Sequence, residues 1–230
     1  EKLGLEVQNR QKPIAEDITE DFDIGIVVAY GALISKQILE KARLGFLNLH
    51  PSDLPKFRGA APIERTLEAG EAHTRICVIK MTPKLDDGDI VKAENYEIQP
   101  FQNSITLHKE FSTIGAGLMM EAIKLLPLKK DFEKQNDSLA TYAKKITKEE
   151  LHLQENKFTV QQILNKIRAF ASYGYPFIML DGKRVKIKEA SISKERQSPL
   201  DIECLNGFVN PMIIKPEGKN FITRKEFFHG

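Results

Sequence analysis

The sequence predicts an α/β protein: a doubly wound, mostly parallel sheet, followed by a small OB-like β-barrel. Three observations predict it. Residues 24–29 (IGIVVA) form a continuous apolar run with a turn-prone Tyr30-Gly31 behind it, the pattern of a strand buried on both faces of a parallel sheet. A strand, a helix and a second strand then follow within residues 24–49, which is a β-α-β unit. From residue 177 onward, short apolar runs alternate with Gly, Pro and Asn, the rhythm of a small all-β unit.

Each element has its own local cause. Ser35 caps a helix in which Ile38, Leu39 and Ala42 fall at helical spacing before Gly45, and residues 46–49 form the second strand. Pro51-Ser52-Asp53-Leu54-Pro55 is too proline-rich for regular structure, and residues 60–69 read as a short helix closed by Gly70. Residues 75–81 and 90–98 are strands joined by the acidic loop 84–89, and Ser104 caps a long amphipathic helix reaching about residue 126. Polar residues 127–138 read as a linker. A helix over 160–170 precedes short strands at 177–180, 185–192, 202–205 and 212–215. The chain therefore divides into a catalytic domain over 1–130, a linker over 131–150 and a barrel over 151–230.

Composition narrows the class. With 29% charged residues and no long apolar run, the chain is expected to be water-soluble, without a membrane partner. Cys77 and Cys204 fit neither a metal-ligand nor a redox spacing, so they read as packing residues of a reducing, cytoplasmic compartment. Thirteen Lys/Arg against eight Asp/Glu after residue 150 give that part a net charge of +5, which suits nucleic acid or an ordinary solvated surface.

Three polar residues stand where such a sheet places its chemistry, at or beyond the C-terminal ends of strands: Asn48, His50 and Asp86. A neutral imidazole accepts a proton from an attacking amine near pH 7. An amide NH2 donates to an oxyanion, and a carboxylate orients the imidazole and stabilises its charged form. On a continuous strand Asn48 and His50 leave by the same face. A polar cluster without chemistry is the alternative.

Asn48-Leu49-His50-Pro51-Ser52-Asp53-Leu54-Pro55, followed by Phe57-Arg58-Gly59-Ala60-Ala61-Pro62-Ile63, resembles the signature of the folate-dependent formyltransferases. Leu85-Asp86-Asp87-Gly88-Asp89 is similar to that family's second catalytic loop. Ala140-Thr141-Tyr142-Ala143-Lys144-Lys145-Ile146, Lys166-Ile167-Arg168-Ala169-Phe170 and the closing Phe227-Phe228-His229-Gly230 resemble the methionyl-tRNA formyltransferases among them. The resemblance implies formyl transfer from 10-formyltetrahydrofolate to the amino group of methionyl-initiator-tRNA, without a metal. It implies that Asn48 binds the formyl oxygen, His50 takes and returns the proton, and Asp86 orders a water and holds His50. It also implies a folate site lined by Ser52, Asp53, Leu54 and Pro55, with Tyr30 and Gly31 beside the pterin.

The match departs in places. The family's opening strand, glycine-containing turn, helix and basic loop have no counterpart before residue 24, so the chain is expected to be a fragment whose sheet lacks its central first strand. Tyr173-Gly174-Tyr175-Pro176 stands where the family has a tryptophan-bearing segment, and Asp53 replaces a hydrophobic residue. Arg58-Gly59 reads as a turn positioning the next helix, and Asp87 with Asp89 as a solvated loop rather than a cation site. His73, His108, His152 and His229 read as surface or capping residues. Alternation on a strand puts Arg184, Lys186 and Lys188 on one face, a surface for tRNA phosphates or an ordinary solvated face. The expected partners are initiator tRNA and folate, acting on a monomer in the bacterial cytosol or the mitochondrial matrix. The alternatives are an enzyme of the same fold acting on an amino sugar or nucleotide, and an inactive RNA-binding remnant.

Overall fold

The computed structural model describes Ala15, Ile18 and residues 21–129 and 131–229. The expected opening of the catalytic domain at residues 1–14, its boundary at Lys130 and the final Gly230 lie outside the described residues.

Strand β1 (Gly25–Val28) leads through the single-turn helix α1 (Lys36–Leu39), N-capped by Ser35, to β2 (Phe46–His50). The two-residue strand β3 (Arg58–Gly59) precedes α2 (Pro62–Ala69), whose proline sits in the first turn, where its missing N–H has no partner to lose. β4 (His73–Lys80) and β5 (Ile90–Glu97) form a hairpin, and α3 (Ser104–Leu125) packs on it. The cap of α3 is Asn103 rather than the expected Ser104. Asn103 Oδ1 accepts the Thr106 N–H at 3.1 Å and Thr106 Oγ1 accepts the Asn103 N–H at 3.0 Å, a closed capping box.

The first sheet has the order β1-β2-β4-β5. Its β1–β2 pair is parallel, as the β-α-β reading requires, while the other two pairings are antiparallel. The described sheet is therefore mixed rather than mostly parallel; for β4 and β5 the short connecting loop permits only an antiparallel pair. The expected burial of β1 on both faces is also corrected: Ile26 and Val28 are 52% and 55% exposed, with α1 covering the opposite face. Leu47, Ile76 and Val78 of the sheet meet Leu107, Phe111 and Leu118 of α3 in the main core.

The second half begins with β6 (Tyr142–Ala143), which pairs in parallel with β3, and α4 (Val160–Ala169), capped by Thr159. β7 (Phe177–Leu180), β8 (Lys183–Ser193), β9 (Ile202–Cys204), β10 (Gly207–Pro216) and β11 (Ile222–Thr223) follow, then α5 (Arg224–His229). The strands form an antiparallel sheet of order β11-β10-β8-β7, with β9 also on β10. The expected barrel does not close among the described strands: β7 pairs with no strand but β8, and its outer edge carries only the bridge of Phe177 to His152. Ile163 and Ile167 of α4 pack on Val185, Ile187, Val209 and Ile214 of this sheet. Phe170, just past α4, is buried in the first core, and Lys166 pairs with Glu68 of α2, so the two halves share a packed seam. No described helix is long and apolar enough to cross a membrane.

Candidate active site

β2 runs to His50, so Asn48 and His50 occupy alternate positions on one face of the strand. The loop between β4 and β5 brings Asp86 to them. Asp86 Oδ1 accepts from Asn48 Nδ2 at 3.4 Å, and Oδ2 lies 3.6 Å from His50 Nδ1. Oδ2 also accepts the Gly59 N–H at 2.8 Å.

His50 Nε2 lies 3.0 Å from the Phe57 carbonyl. A carbonyl only accepts, so Nε2 carries the hydrogen and Nδ1 of the neutral ring presents its lone pair toward Asp86. Burial lowers the pKa of His50 below its ordinary 6.5; Asp86 and the Phe57 carbonyl pull it up, Arg58 pushes it down, and burial prevails. The ring is neutral at pH 7, and a proton accepted at Nδ1 would rest against the Asp86 carboxylate. An amide donor, a base and a carboxylate thus converge.

All three line one cavity of about 480 Å³, the size of a small-ligand site. Tyr30 and Gly31 line it as well. Ser52, Asp53, Leu54 and Pro55 do not. Tight turns, closed by Ser52 N–H to His50 O and Leu54 N–H to Ser52 O, fold this segment back toward β4. Ser52 is fully buried with its hydroxyl on Lys56 O at 2.7 Å, and Leu54 packs with Cys77, Ile79 and Ile90. The Pro55 carbonyl accepts the Thr141 N–H, and Asp53 faces a separate groove with His73 and Arg75.

Sequence reasoning missed several neighbours. Gly59, taken for a turn residue, has φ +124°, and a Cβ there would lie 2.8 Å from Ala143 O, so glycine is what lets its N–H reach Asp86. Gln135, in the expected linker, donates to the carbonyls of Asp86 and Gly88. Glu64 and His108 also line the cavity, with His108 Nε2 2.9 Å from Glu64 Oε1 and Ser172 Oγ donating to the same oxygen at 2.7 Å. Burial opposes the Glu64 charge, yet the hydrogen bonds from His108 and Ser172 hold this carboxyl below its usual range. His108 is therefore an exposed residue, as expected, that also forms part of the cavity wall. The motif Phe57-Arg58-Gly59 was the available signal for Gly59; Gln135 had none nearby.

The remaining candidates stand apart from the cavity. Arg184, Lys186 and Lys188 alternate with buried Val185 and Ile187 on β8, so they do share the outward face. The Arg184 guanidinium stacks 4.3 Å from the Phe177 ring centre, and Tyr175 packs on Phe221. Asp87 takes the Thr82 hydroxyl and Asp89 pairs with Lys134. Cys77 and Cys204 are buried, as expected of packing residues, and burial pushes the Cys77 thiol up to about 12.

Residues 6–123 match the family described as Formyl transferase, and residues 145–230 match the Formyl transferase, C-terminal domain. The chain belongs to the formyl transferase family. Its relatives include the methionyl-tRNA formyltransferases of Natranaerobius thermophilus and Methylobacterium nodulans, 30% and 34% identical. Each match takes in 100% of this chain and, respectively, 80% and 79% of the relative. Among solved structures, HypX from Aquifex aeolicus in complex with tetrahydrofolic acid has a TM-score of 0.68 at 15% identity, covering 93% of this chain and 39% of HypX. The methionyl-tRNA formyltransferase from Clostridium thermocellum gives 0.62 at 20% identity, covering 94% of this chain and 86% of its own. WlaRD, a sugar 3N-formyl transferase, gives 0.64 at 18% identity, covering 86% and 73%. These likenesses establish a shared fold, the formyl transferase sheet followed by an antiparallel C-terminal sheet. This formyl transferase chain is thus an enzyme of a family that uses folate.

Proposed function

We propose that this chain transfers the formyl group of 10-formyltetrahydrofolate to the amino group of methionyl-initiator-tRNA, in the cytosol, for translation initiation. The observation that carries the reading is the convergence of Asn48, His50 and Asp86 on the wall of one cavity. The residues suit the folate: Val28, Tyr30 and Leu33 offer an exposed apolar wall for a flat ring, and Asn48, His50 and Asp86 a polar end for the formyl group.

10-Formyltetrahydrofolate supplies the one-carbon group when bound. Asn48 has two amide hydrogens, one directed at Asp86; the other serves the formyl oxygen, where negative charge grows as the amine attacks. His50 Nδ1 takes the proton that the amine loses, and Asp86 stabilises the resulting imidazolium. The proton then passes to the leaving nitrogen, so the C–N bond formed replaces the one broken without a covalent enzyme intermediate. Tyr30 and Gly31 contact the folate, while Ser52, Asp53, Leu54 and Pro55 shape the loop behind His50.

In this reading residues 1–130 do the chemistry and residues 151–230 hold tRNA, with Arg184, Lys186 and Lys188 on its phosphates; the net +5 of that part supports it. An amino-sugar acceptor is the second reading, favoured by the fold shared with WlaRD. Relatives matching the whole chain favour tRNA. The test is a formylation assay offering methionyl-initiator-tRNA or nucleotide-linked amino sugars. Transfer to the tRNA that disappears in His50→Ala supports the proposal, and transfer only to the sugar overturns the acceptor.

A further inference from the structure

We propose that Gln135 is a positioning residue for Asp86, and that Arg58 fixes which way the Gln135 amide points. The inference rests on Asn48, His50 and Asp86 being the reacting set.

Gln135 Nε2 donates to Asp86 O at 2.8 Å and to Gly88 O at 2.7 Å. Its Oε1 accepts from Arg58 Nε at 3.1 Å and Arg58 Nη2 at 2.8 Å. Carbonyls only accept and a guanidinium only donates, so both ends of the amide are determined, and its two hydrogens and its oxygen are all engaged. Arg58 is itself buried and held by Asp137 Oδ1 at 2.7 Å.

The loop needs such a hold. Asp86 has φ +50°, in the left-handed region that is sparsely used by L residues, and a Cβ on Gly88 would lie 1.8 Å from Lys80 O. Gly59, next to Arg58, gives its N–H to the Asp86 carboxylate. One dipeptide of β3 thereby holds the carboxylate directly and the loop backbone through Gln135. The pairing of β3 with β6 and the bridge between Ile90 and Glu133 keep the 133–143 segment against this loop. That segment is a clamp on the site, not only a connection.

Glutamine is required in chemical terms. Glutamate at 135 keeps an acceptor for Arg58 but sets a second oxygen against two carbonyls, whereas leucine fills the space and bonds to neither. A residue that merely anchored the linker through Arg58 would tolerate Gln135→Glu; one that holds Asp86 would not.

The experiment has two readouts on the full chain. In formyl transfer, Q135E and Q135L are expected to lose about 10- to 100-fold in kcat with little change in KM for 10-formyltetrahydrofolate, as for a group displaced by a fraction of an ångström. By NMR, the His50 imidazole is expected to titrate at lower pH in Q135L, moving toward its value in Asp86→Asn. Asp86 and Arg58 are the charged groups facing that ring; Q135L frees the Asp86 loop, while Arg58, which also loses its bonds to Gln135, stays held by Asp137 Oδ1. Full kcat in Q135E, or an unmoved His50 titration in folded Q135L, would overturn the proposal. Because the titration needs no substrate, a wild-type chain that formylates nothing would sink the proposed function while the titration still decides the role of Gln135.

Discussion

At His50, burial and the Asp86 charge pull in opposite directions, and burial leaves a neutral ring with its Nδ1 lone pair toward the carboxylate. A base works only unprotonated, so kcat/KM should fall as pH drops through the pKa of His50, which lies below 6.5. In Asp86→Asn the charge that raises this pKa is gone, and the acid limb of the pH profile should move lower still. Stability carries the matching sign. Near pH 6.5 the unfolded chain binds more protons at this site than the native one, so stability falls as pH drops from above 6.5 toward the native pKa. Urea unfolding at several pH values checks this, and His50→Gln should flatten the slope. Asn48→Ala should lower kcat by about 100- to 1000-fold, the usual effect of removing one oxyanion donor.

Among the elements, the two-residue β3 is the most consequential for the site. Gly59→Ala forces a side chain into a left-handed backbone position and against Ala143 O; it should cost about 1–3 kcal/mol of stability and draw the N–H away from Asp86. Thermal unfolding beside a kcat measurement separates the two effects. Much of this site could be read from sequence, because Asn48 and His50 lie on one strand whose two-residue period places them together. Asp86 was readable from its acidic loop. The folate-lining role of residues 52–55 is what the family resemblance implies, whereas the turns after β2 fold this segment away from the cavity and Leu54 into packing. Gln135 was hidden because its partners are 47 and 49 residues away, and a polar residue in a charged stretch carries no periodic signal. A two-residue strand such as β3 or β6 is likewise too short for any pattern to register.

Over the whole molecule, α2 and α4 form the seam between the halves, with Lys166 on Glu68, Arg65 on Glu68 and Glu150, and Phe170 seated in the first core. Phe170→Ala should cost about 3–5 kcal/mol, read by urea unfolding, since it empties a fully buried site. Strands β7 to β10 of the second half were legible from their apolar runs, whereas the two-residue β6 and β11 were not. Closure was not, because it depends on pairings between residues far apart in sequence, and β7 is left as an edge. If β8 meets tRNA, replacing Arg184, Lys186 and Lys188 with Glu should weaken binding and reduce the salt dependence by about one phosphate contact per residue, measured by titration at several salt concentrations. The central claim is tested most directly by the rate of formyl transfer from 10-formyltetrahydrofolate to methionyl-initiator-tRNA, by this chain and by folded His50→Ala. The chain is expected to transfer the formyl group, and the variant to lose about 100- to 10,000-fold in rate. Equal rates in the two proteins, or formylation of an amino sugar with the tRNA untouched, would contradict that claim.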